Sequence, residues 1–276
     1  MTTPDLASWI GRTETCDDNI DLGHIQRIAL SLDAPAPALG DPVPLLWQWG
    51  LFVTALPYDQ LGEDGHPKRG GFLPPADNRN RMWAGGRLQF LKDLRVGTSA
   101  RRASTIAAVK EKEGRTGKLL FVTVRHEYHQ DGALCISEEQ DIVYREPSAP
   151  KLAGTVAAPA AQWSKAIEPS TTMLFRYSAV TFNGHRIHYD APYVTEVEGY
   201  PGLVVHGPLI ATLMCSAFSE AHPDKTVTGL SYRGLRPLIA PRSFQVAGAL
   251  AGEGTARLWA EQESYLAHEA EITFKD

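Results

Sequence analysis

The chain has 276 residues, 43% of them hydrophobic and 21% charged, with a formal net charge of −5. This length suits two domains or one large one, and the apolar fraction is enough for a packed core. A negative net charge without a basic block argues against nucleic-acid binding. Without an 18-residue apolar run or a signal-peptide pattern, we expect a cytoplasmic protein that does not enter a membrane. Three scattered cysteines without CxxC spacing are typical of reduced thiols.

The first half of the chain combines helical patterns with strand patterns. Apolar residues at three-to-four spacing predict an amphipathic helix over Leu22–Leu32. Pro44–Leu56 is apolar almost all round, which is typical of a helix buried in a core. Residues 58–80 are rich in glycine, proline and charge, and a connection of that length is usually functional or disordered. From residue 81 to 144 the period changes to two and predicts an antiparallel meander.

The second half repeats this order. A helical stretch over Gly184–Tyr193 precedes an apolar helix over Pro208–Ala221, and four strand patterns follow between residues 226 and 274. One local segment also has a counterpart, because Lys92–Gly97 corresponds to Arg236–Pro241. The order of elements therefore indicates an internal repeat.

A buried helix followed by a curved antiparallel meander, present twice, predicts an α+β double hot-dog fold. We expect two antiparallel sheets, each wrapped around a central helix. Residues 1–150 would form the N-terminal domain, residues 151–170 a linker rich in proline and alanine, and residues 171–276 the C-terminal domain.

Three histidines lie close together in the second half: His185, His188 and His206. On a helical turn the spacing of His185 and His188 puts both rings on one side. They could be solvated or satisfied core residues, or two metal ligands, although no third ligand at a familiar spacing accompanies them. A general acid/base pair in a cleft is the third interpretation, because imidazole titrates near neutral pH.

Gly207-Pro208 favours the acid/base interpretation. Proline is well placed at the start of a helix, and glycine before it allows a ligand to come close. The free N–H groups of such a helix start carry partial positive charge and could stabilise an enolate oxygen. Gly207 could equally be an N-cap without a ligand.

These residues carry a resemblance to the MaoC-like hydratase/dehydratase family, whose members add or remove water at the double bond of acyl thioesters. Residues 181–188 (TFNGHRIH) match the first family motif, and Val205-His206-Gly207 matches the second. Two departures are clear, since the catalytic aspartate of the family falls on Asn183 and its asparagine on His185. This variant resembles the branch of type 2 hydroxyacyl-thioester dehydratases and mesaconyl-CoA and itaconyl-CoA hydratases. The strings GGFLPP and RMWAGG of the first half resemble that branch too.

The resemblance implies roles for individual residues. His188 would be the catalytic base, His185 a second acid/base or an orienting group, Asn183 a group that orients water, and Gly207 the oxyanion donor. Residues expected to bind substrate are Tyr177, His206, Arg236, Arg233, Arg81 and Arg69. The N-terminal domain would be non-catalytic and would accept the acyl group. Coenzyme A enters as part of the substrate, so we expect neither a metal nor a separate cofactor.

The sequence thus predicts a hydratase for a short 2-enoyl-CoA, with mesaconyl-CoA or itaconyl-CoA, giving citramalyl-CoA, as the preferred substrates. One alternative is a 3-hydroxyacyl-thioester dehydratase of fatty-acid synthesis, acting on coenzyme A or acyl carrier protein. Others are an inactive acyl-CoA-binding protein and a hot-dog thioesterase. A homodimer is plausible but not required, because two hot-dog units in one chain already mimic a dimer.

Overall fold

The structure is a computed structural model, and it describes residues 5–76, 79–114 and 117–276. These residues form one antiparallel sheet in the order β1-β3-β4-β5-β2-β7-β10-β9-β8-β6. The strands are β1 (Thr13–Asn19), β2 (Asn80–Phe90), β3 (Ser99–Gly114), β4 (Gly117–Gln130), β5 (Ala133–Arg145), β6 (Trp163–Ile167), β7 (Thr226–Gly234), β8 (Phe244–Gly252), β9 (Thr255–Gln262) and β10 (Tyr265–Lys275). The helices are α1 (Leu22–Leu32), α2 (Thr171–Val180) and α3 (Gly207–Ala221).

The prediction of two separate sheets is wrong, because β2 of the first half pairs with β7 of the second. This pairing joins five strands from each half into one sheet. An unpaired edge strand leaves a row of backbone donors and acceptors open, and edge-to-edge pairing satisfies them on both halves at once. A large antiparallel sheet with few helices is still consistent with a hot-dog fold.

The two halves are built alike, as the internal repeat indicates. From the centre outward, the strand order β2-β5-β4-β3-β1 is matched by β7-β10-β9-β8-β6. The backbone N–H of Val43 donates to the carbonyl of Leu94, and that of Val205 donates to Leu238. Equivalent hydrogen bonds therefore hold Val43, just before the Trp47–Gly50 turn, and Val205, just before α3.

That register explains why only the second half has a long central helix. Val43 corresponds to Val205, so Leu46 corresponds to Pro208. Pro208 starts α3, but Leu46 has a left-handed backbone with φ of 69°, which stops a right-handed helix. The predicted helix over Pro44–Leu56 is therefore wrong, and only a short 3₁₀ turn over Trp47–Gly50 forms there.

The apolar character of Pro44–Leu56 has another cause. Trp47, Leu51 and Phe52 are buried in the main core, where an irregular segment takes the place of a helix. In the second half α3 is buried nearly all round, as its sequence indicates, and it packs against β6, β8, β9 and β10.

Two further elements differ from the sequence predictions. Helix α2 was not predicted; Ser170 caps it by accepting a hydrogen bond from the N–H of Met173, at 3.1 Å. The predicted linker contains β6, which pairs with β8 and belongs to the sheet. Within the described ranges, none of the helices has the length and apolarity needed to cross a membrane.

Candidate active site

The turn after α2 presents the histidine motif. The side-chain oxygen of Asn183 accepts a hydrogen bond from the N–H of His185 at 3.0 Å, and the N–H of Asn183 donates to Ser178 at 2.8 Å. The predicted helical stretch over Gly184–Tyr193 is therefore a capped turn with a 3₁₀ turn at Arg186–His188. The side-chain oxygen of Asn183 faces the backbone, and its amide N–H₂ group is available to donate to another partner.

His188 has a defined tautomer. Its Nδ1 lies 2.7 Å from the carbonyl oxygen of Val204, and a carbonyl can only accept, so Nδ1 carries the proton. Burial lowers the pKa of His188 to about 4, against the weaker opposing effect of that hydrogen bond. At neutral pH the ring is therefore uncharged, with the lone pair on Nε2. This is the state required of a general base.

His206 supports His188 and leads into α3. The rings of His206 and His188 are stacked, with centroids 3.7 Å apart and planes 19° from parallel. His206 is fully buried and shares a 2.9 Å hydrogen bond with the hydroxyl of Ser178, and the rings of His206 and Tyr177 pack in a T-shaped arrangement with centroids 4.9 Å apart. His206 and Tyr177 thus form the packing behind the base.

Gly207 is the first residue of α3, directly after His206. Its N–H belongs to the first helical turn, whose donors have no carbonyl within the helix. A Cβ at this position would lie 3.3 Å from the ring of Trp83, so a larger side chain would press on that ring. Glycine therefore keeps the helix start close to the wall of the site.

Two residues at the site were missed from the sequence: Asp64 and His66, from the long loop of the first half. His66 Nδ1 lies 3.2 Å from Asp64 Oδ2, and the rings of His66 and His185 are 4.2 Å apart between centroids. Burial is the largest single effect on Asp64 and raises its pKa, but the hydrogen bonds and charge of His66, with a smaller effect of His185, together outweigh it and lower the pKa overall. The sequence did mark this loop as too long for a simple connection, and that was the only available signal.

The loop is fixed to the catalytic turn by backbone contacts. The N–H of Arg186 donates to the carbonyl of Asp64 at 2.9 Å, and its guanidinium donates to the carbonyl of Glu63 at 3.1 Å. Gly65 has φ of 85°, and a Cβ there would lie 1.9 Å from the carbonyl oxygen of Gly184. Only glycine allows this approach, so the position of Asp64 and His66 depends on it.

A cavity of about 340 Å³ opens beside these groups. At one end it is lined by His66, Arg81, Asn183 and Pro208. It extends into the first half, where the described residues form no long central helix like α3. From the catalytic turn Asn183 lines the cavity, which reaches from there to strands of the first half; His185, His188 and Gly207 are not among its lining residues.

The far end of the cavity is polar. Glu14, Ser104, His126 and Glu138 are successive neighbours across β1, β3, β4 and β5, and all but Ser104 line the cavity. Arg102 also lines the cavity and lies two residues before Ser104 on β3. Its buried Nε has no hydrogen-bond partner in the described part of the chain. Buried polar groups are costly in a core, so this face is built for a polar occupant rather than a hydrocarbon chain.

The four arginines expected to bind substrate divide into two groups. Arg81 lines the cavity, and its charge contributes to lowering the pKa values of His66 and His185. Arg69 lies near Asp64, at 3.9 Å, and donates to a backbone carbonyl. Arg233 pairs with Glu269 on an exposed part of β7, and Arg236 donates to four backbone carbonyls. Arg233 and Arg236 are thus not brought to the histidines.

The sequence profile of the family described as hydroxyacyl-thioester dehydratase type 2 matches residues 47–240, which is more than half of the chain. The chain belongs to this family. It is 46% identical over 251 residues to a mesaconyl-C(4)-CoA hydratase from Chloroflexus aurantiacus, covering 89% of each protein. It is 28% identical to a mitochondrial hydroxyacyl-thioester dehydratase type 2 from Schizosaccharomyces pombe, covering 81% of this chain and 82% of that protein.

A MaoC-like dehydratase from Phytophthora capsici has the same fold, with a TM-score of 0.73 at 12% identity, covering 100% of this chain and 99% of that one. The resemblance seen in the motifs is confirmed. This member of the type 2 family is a hydro-lyase, because its relatives are hydratases and dehydratases.

The hydro-lyase also brings together a group with the composition of a metal site. One ligand atom each from Asp64, His66 and His185 lies within 4.8 Å of the others. Two features disfavour a cation there. Asp64 and His66 are hydrogen bonded directly to each other, and the positive charge of Arg81 acts on both histidines. We therefore interpret the group as a hydrogen-bonded network.

The buried histidines predict loss of stability in mild acid. Burial lowers the pKa to about 4 at His126, His188 and His268, and the pKa of His206 is also well below its usual value. Between pH 6.5 and 4 the unfolded chain binds more protons than the folded chain, so folding free energy is lost as pH falls. Glu138 acts in the opposite sense, because burial raises its pKa to about 7, and burial also raises the pKa values of Glu14 and Glu198. We expect the four histidines to outweigh these carboxyl groups.

We expect acidification from pH 6.5 to 4.5 to lower the unfolding free energy by at least about 3 kcal/mol and Tm by roughly 5–10 °C. Thermal unfolding across this range measures the effect, and His126→Gln should reduce the slope. A constant Tm down to pH 4.5 would contradict the expectation.

Proposed function

We propose that this hydro-lyase adds water to the double bond of a short, carboxylated 2-enoyl-CoA thioester. Mesaconyl-CoA or itaconyl-CoA, giving citramalyl-CoA, are the preferred candidates. The observation that carries the proposal is His188, uncharged, with its lone pair on Nε2, and stacked on His206 at the start of α3. The 46% identity to a mesaconyl-C(4)-CoA hydratase supports the same substrate class.

The proposed reaction uses one base and one helix start. His188 Nε2 takes a proton from water as the water oxygen bonds to the β-carbon of the substrate. In mesaconyl-CoA, where the double bond is conjugated with the thioester, its electrons move to the thioester oxygen, and the N–H of Gly207 stabilises the resulting enolate. The His188 imidazolium then returns its proton to the α-carbon, so the product has gained one water and the enzyme is unchanged.

Asn183 and His185 hold the water in this proposal. The Asn183 amide N–H₂ group, left over from capping the turn, donates to the water oxygen, while His185 accepts from its second hydrogen. Tyr177 and His206 pack behind His188 and fix its ring. Each group named here belongs to the second half of the chain, so the first half would serve mainly the acyl group.

Arg81 is the arginine best placed to bind the free carboxylate of the substrate. In mesaconyl-CoA linked through its C4 carboxyl, the free carboxylate is attached to the carbon that water attacks, so its cation must lie near the histidines. Arg81 meets this requirement, because it lines the cavity and acts electrostatically on His66 and His185. The polar far end of the cavity, with Arg102 and Glu138, also favours a polar acyl group over a fatty chain.

A panel of thioesters tests the function. Purified protein is incubated with crotonyl-CoA, a long-chain enoyl-CoA, mesaconyl-CoA and itaconyl-CoA, and both the absorbance of the conjugated bond and the product mass are followed. We expect a gain of one water on the C5 dicarboxylyl thioesters. Hydration of long chains alone would move the protein to the fatty-acid dehydratases, free thiol would make it a thioesterase, and no change would favour a binding protein.

A further inference from the structure

The catalytic turn has an uncharged asparagine, Asn183, two residues before His185. An uncharged amide stabilises a developing positive charge on a neighbouring imidazole less than a carboxylate does. A base that works on water benefits from such a partner. Asn183 supplies no negative charge, so a carboxylate from another segment would have to supply it.

Asp64 reaches it from the other half of the chain. Its Oδ2 accepts from His66 Nδ1 at 3.2 Å, so the proton of neutral His66 sits on Nδ1 and its Nε2 is an acceptor. The ring of His66 contacts that of His185, with centroids 4.2 Å apart. A chain of groups thus runs from a carboxylate through one imidazole to a second imidazole in the catalytic turn.

The position of Asp64 is fixed rather than incidental. Its own backbone carbonyl accepts from the N–H of Arg186, two residues before His188, and Gly65 packs against the carbonyl of Gly184. The side chains of Asp64 and His66 are each about one-fifth exposed, so solvent screens their interaction only in part. Loop and catalytic turn therefore form one structural unit.

We propose that Asp64 and His66 are positioning residues that supply, through His185, the negative charge absent at position 183. This inference rests on the proposed hydration. With substrate bound, His66 Nε2 accepts a hydrogen bond from one ring nitrogen of His185, and the other ring nitrogen presents its lone pair to the water. No covalent step is added, because His188 still carries the proton from water to the α-carbon.

The test compares Asp64→Asn with two other variants. Asp64→Asn is expected to lower kcat for mesaconyl-CoA hydration at least tenfold, with KM within about threefold, and to shift the acid limb of the kcat profile. Adding Asn183→Asp, which keeps an oxygen for the N–H of His185, should restore kcat at least fivefold. Asp59→Asn is the matched control, since Asp59 is an exposed carboxylate of the same loop.

Three results would overturn the proposal. They are an unchanged kcat in Asp64→Asn, a loss of kcat that Asn183→Asp does not restore, and one equivalent of bound zinc with activity lost to a chelator. Long-range ¹⁵N–¹H NMR of the histidines separates this proposal from the function itself. We expect one neutral tautomer of His185 in the wild-type protein and a mixture in Asp64→Asn, whether or not any thioester in the panel is hydrated.

Discussion

Replacing His188 by alanine is expected to lower kcat about 10²–10⁴-fold, the range typical of a lost general base. The Nδ1 proton of His188 is held by the carbonyl of Val204, so Nε2 is the only nitrogen free to take a proton from water. Neither His206, stacked on its face, nor Asn183 can replace that lone pair at the same point. Steady-state hydration of mesaconyl-CoA, measured by loss of the conjugated bond, gives kcat and KM.

Two controls separate chemistry from folding. His188→Gln keeps a donor that can reach the carbonyl of Val204, so its Tm should stay closer to that of the wild type while its turnover remains low. His222→Ala removes a partly buried histidine at the other end of α3, and we expect it to change Tm but to leave kcat within about twofold. Near-normal turnover in a folded His188→Ala protein would disprove the assignment of the base.

Replacing Arg81 by methionine is expected to change substrate preference. Methionine keeps a long apolar side chain but removes the charge, so a bound carboxylate would lose its partner. Truncating one side of a desolvated charge pair typically costs about 2–5 kcal/mol. We therefore expect kcat/KM for mesaconyl-CoA to fall at least about 30-fold. Crotonyl-CoA lacks the carboxylate, and its kcat/KM should stay within about threefold of the wild-type value.

Two other arginines make this experiment selective. Arg87 lies on β2 as Arg81 does, but it is half exposed and paired with Glu139 and Asp141, so Arg87→Met should affect neither substrate. Arg69 already donates to the carbonyl of Ala76, and Arg69→Met should have a smaller effect than Arg81→Met. Equal losses for crotonyl-CoA and mesaconyl-CoA in Arg81→Met would mean that Arg81 does not bind the carboxylate.

Local sequence patterns predict several elements whose stabilising interactions are themselves local, although they did not predict α2. The period of two predicts β3, β4 and β5 because alternate residues face the core in a strand, and the spacing of apolar residues predicts α1 with both its ends. Pro44–Leu56 shows the limit of this approach. Its apolar composition was set by burial, which a helix and an irregular segment satisfy equally well, and the left-handed backbone at Leu46 decided between them.

By itself, the sequence determined the family, the two-fold repeat of elements, and the motif that contains His185, His188 and Gly207, because these are neighbours along the chain. Only the tertiary structure decided which groups surround that motif. The Asp64–His66 pair is held there by contacts such as that between Arg186 and Glu63, 123 positions apart in the chain. The cavity is lined by residues from both halves of the chain, such as Glu138 and Asn183. Contacts between distant segments leave no periodic pattern in either segment, so their partners are known only once the chain is folded.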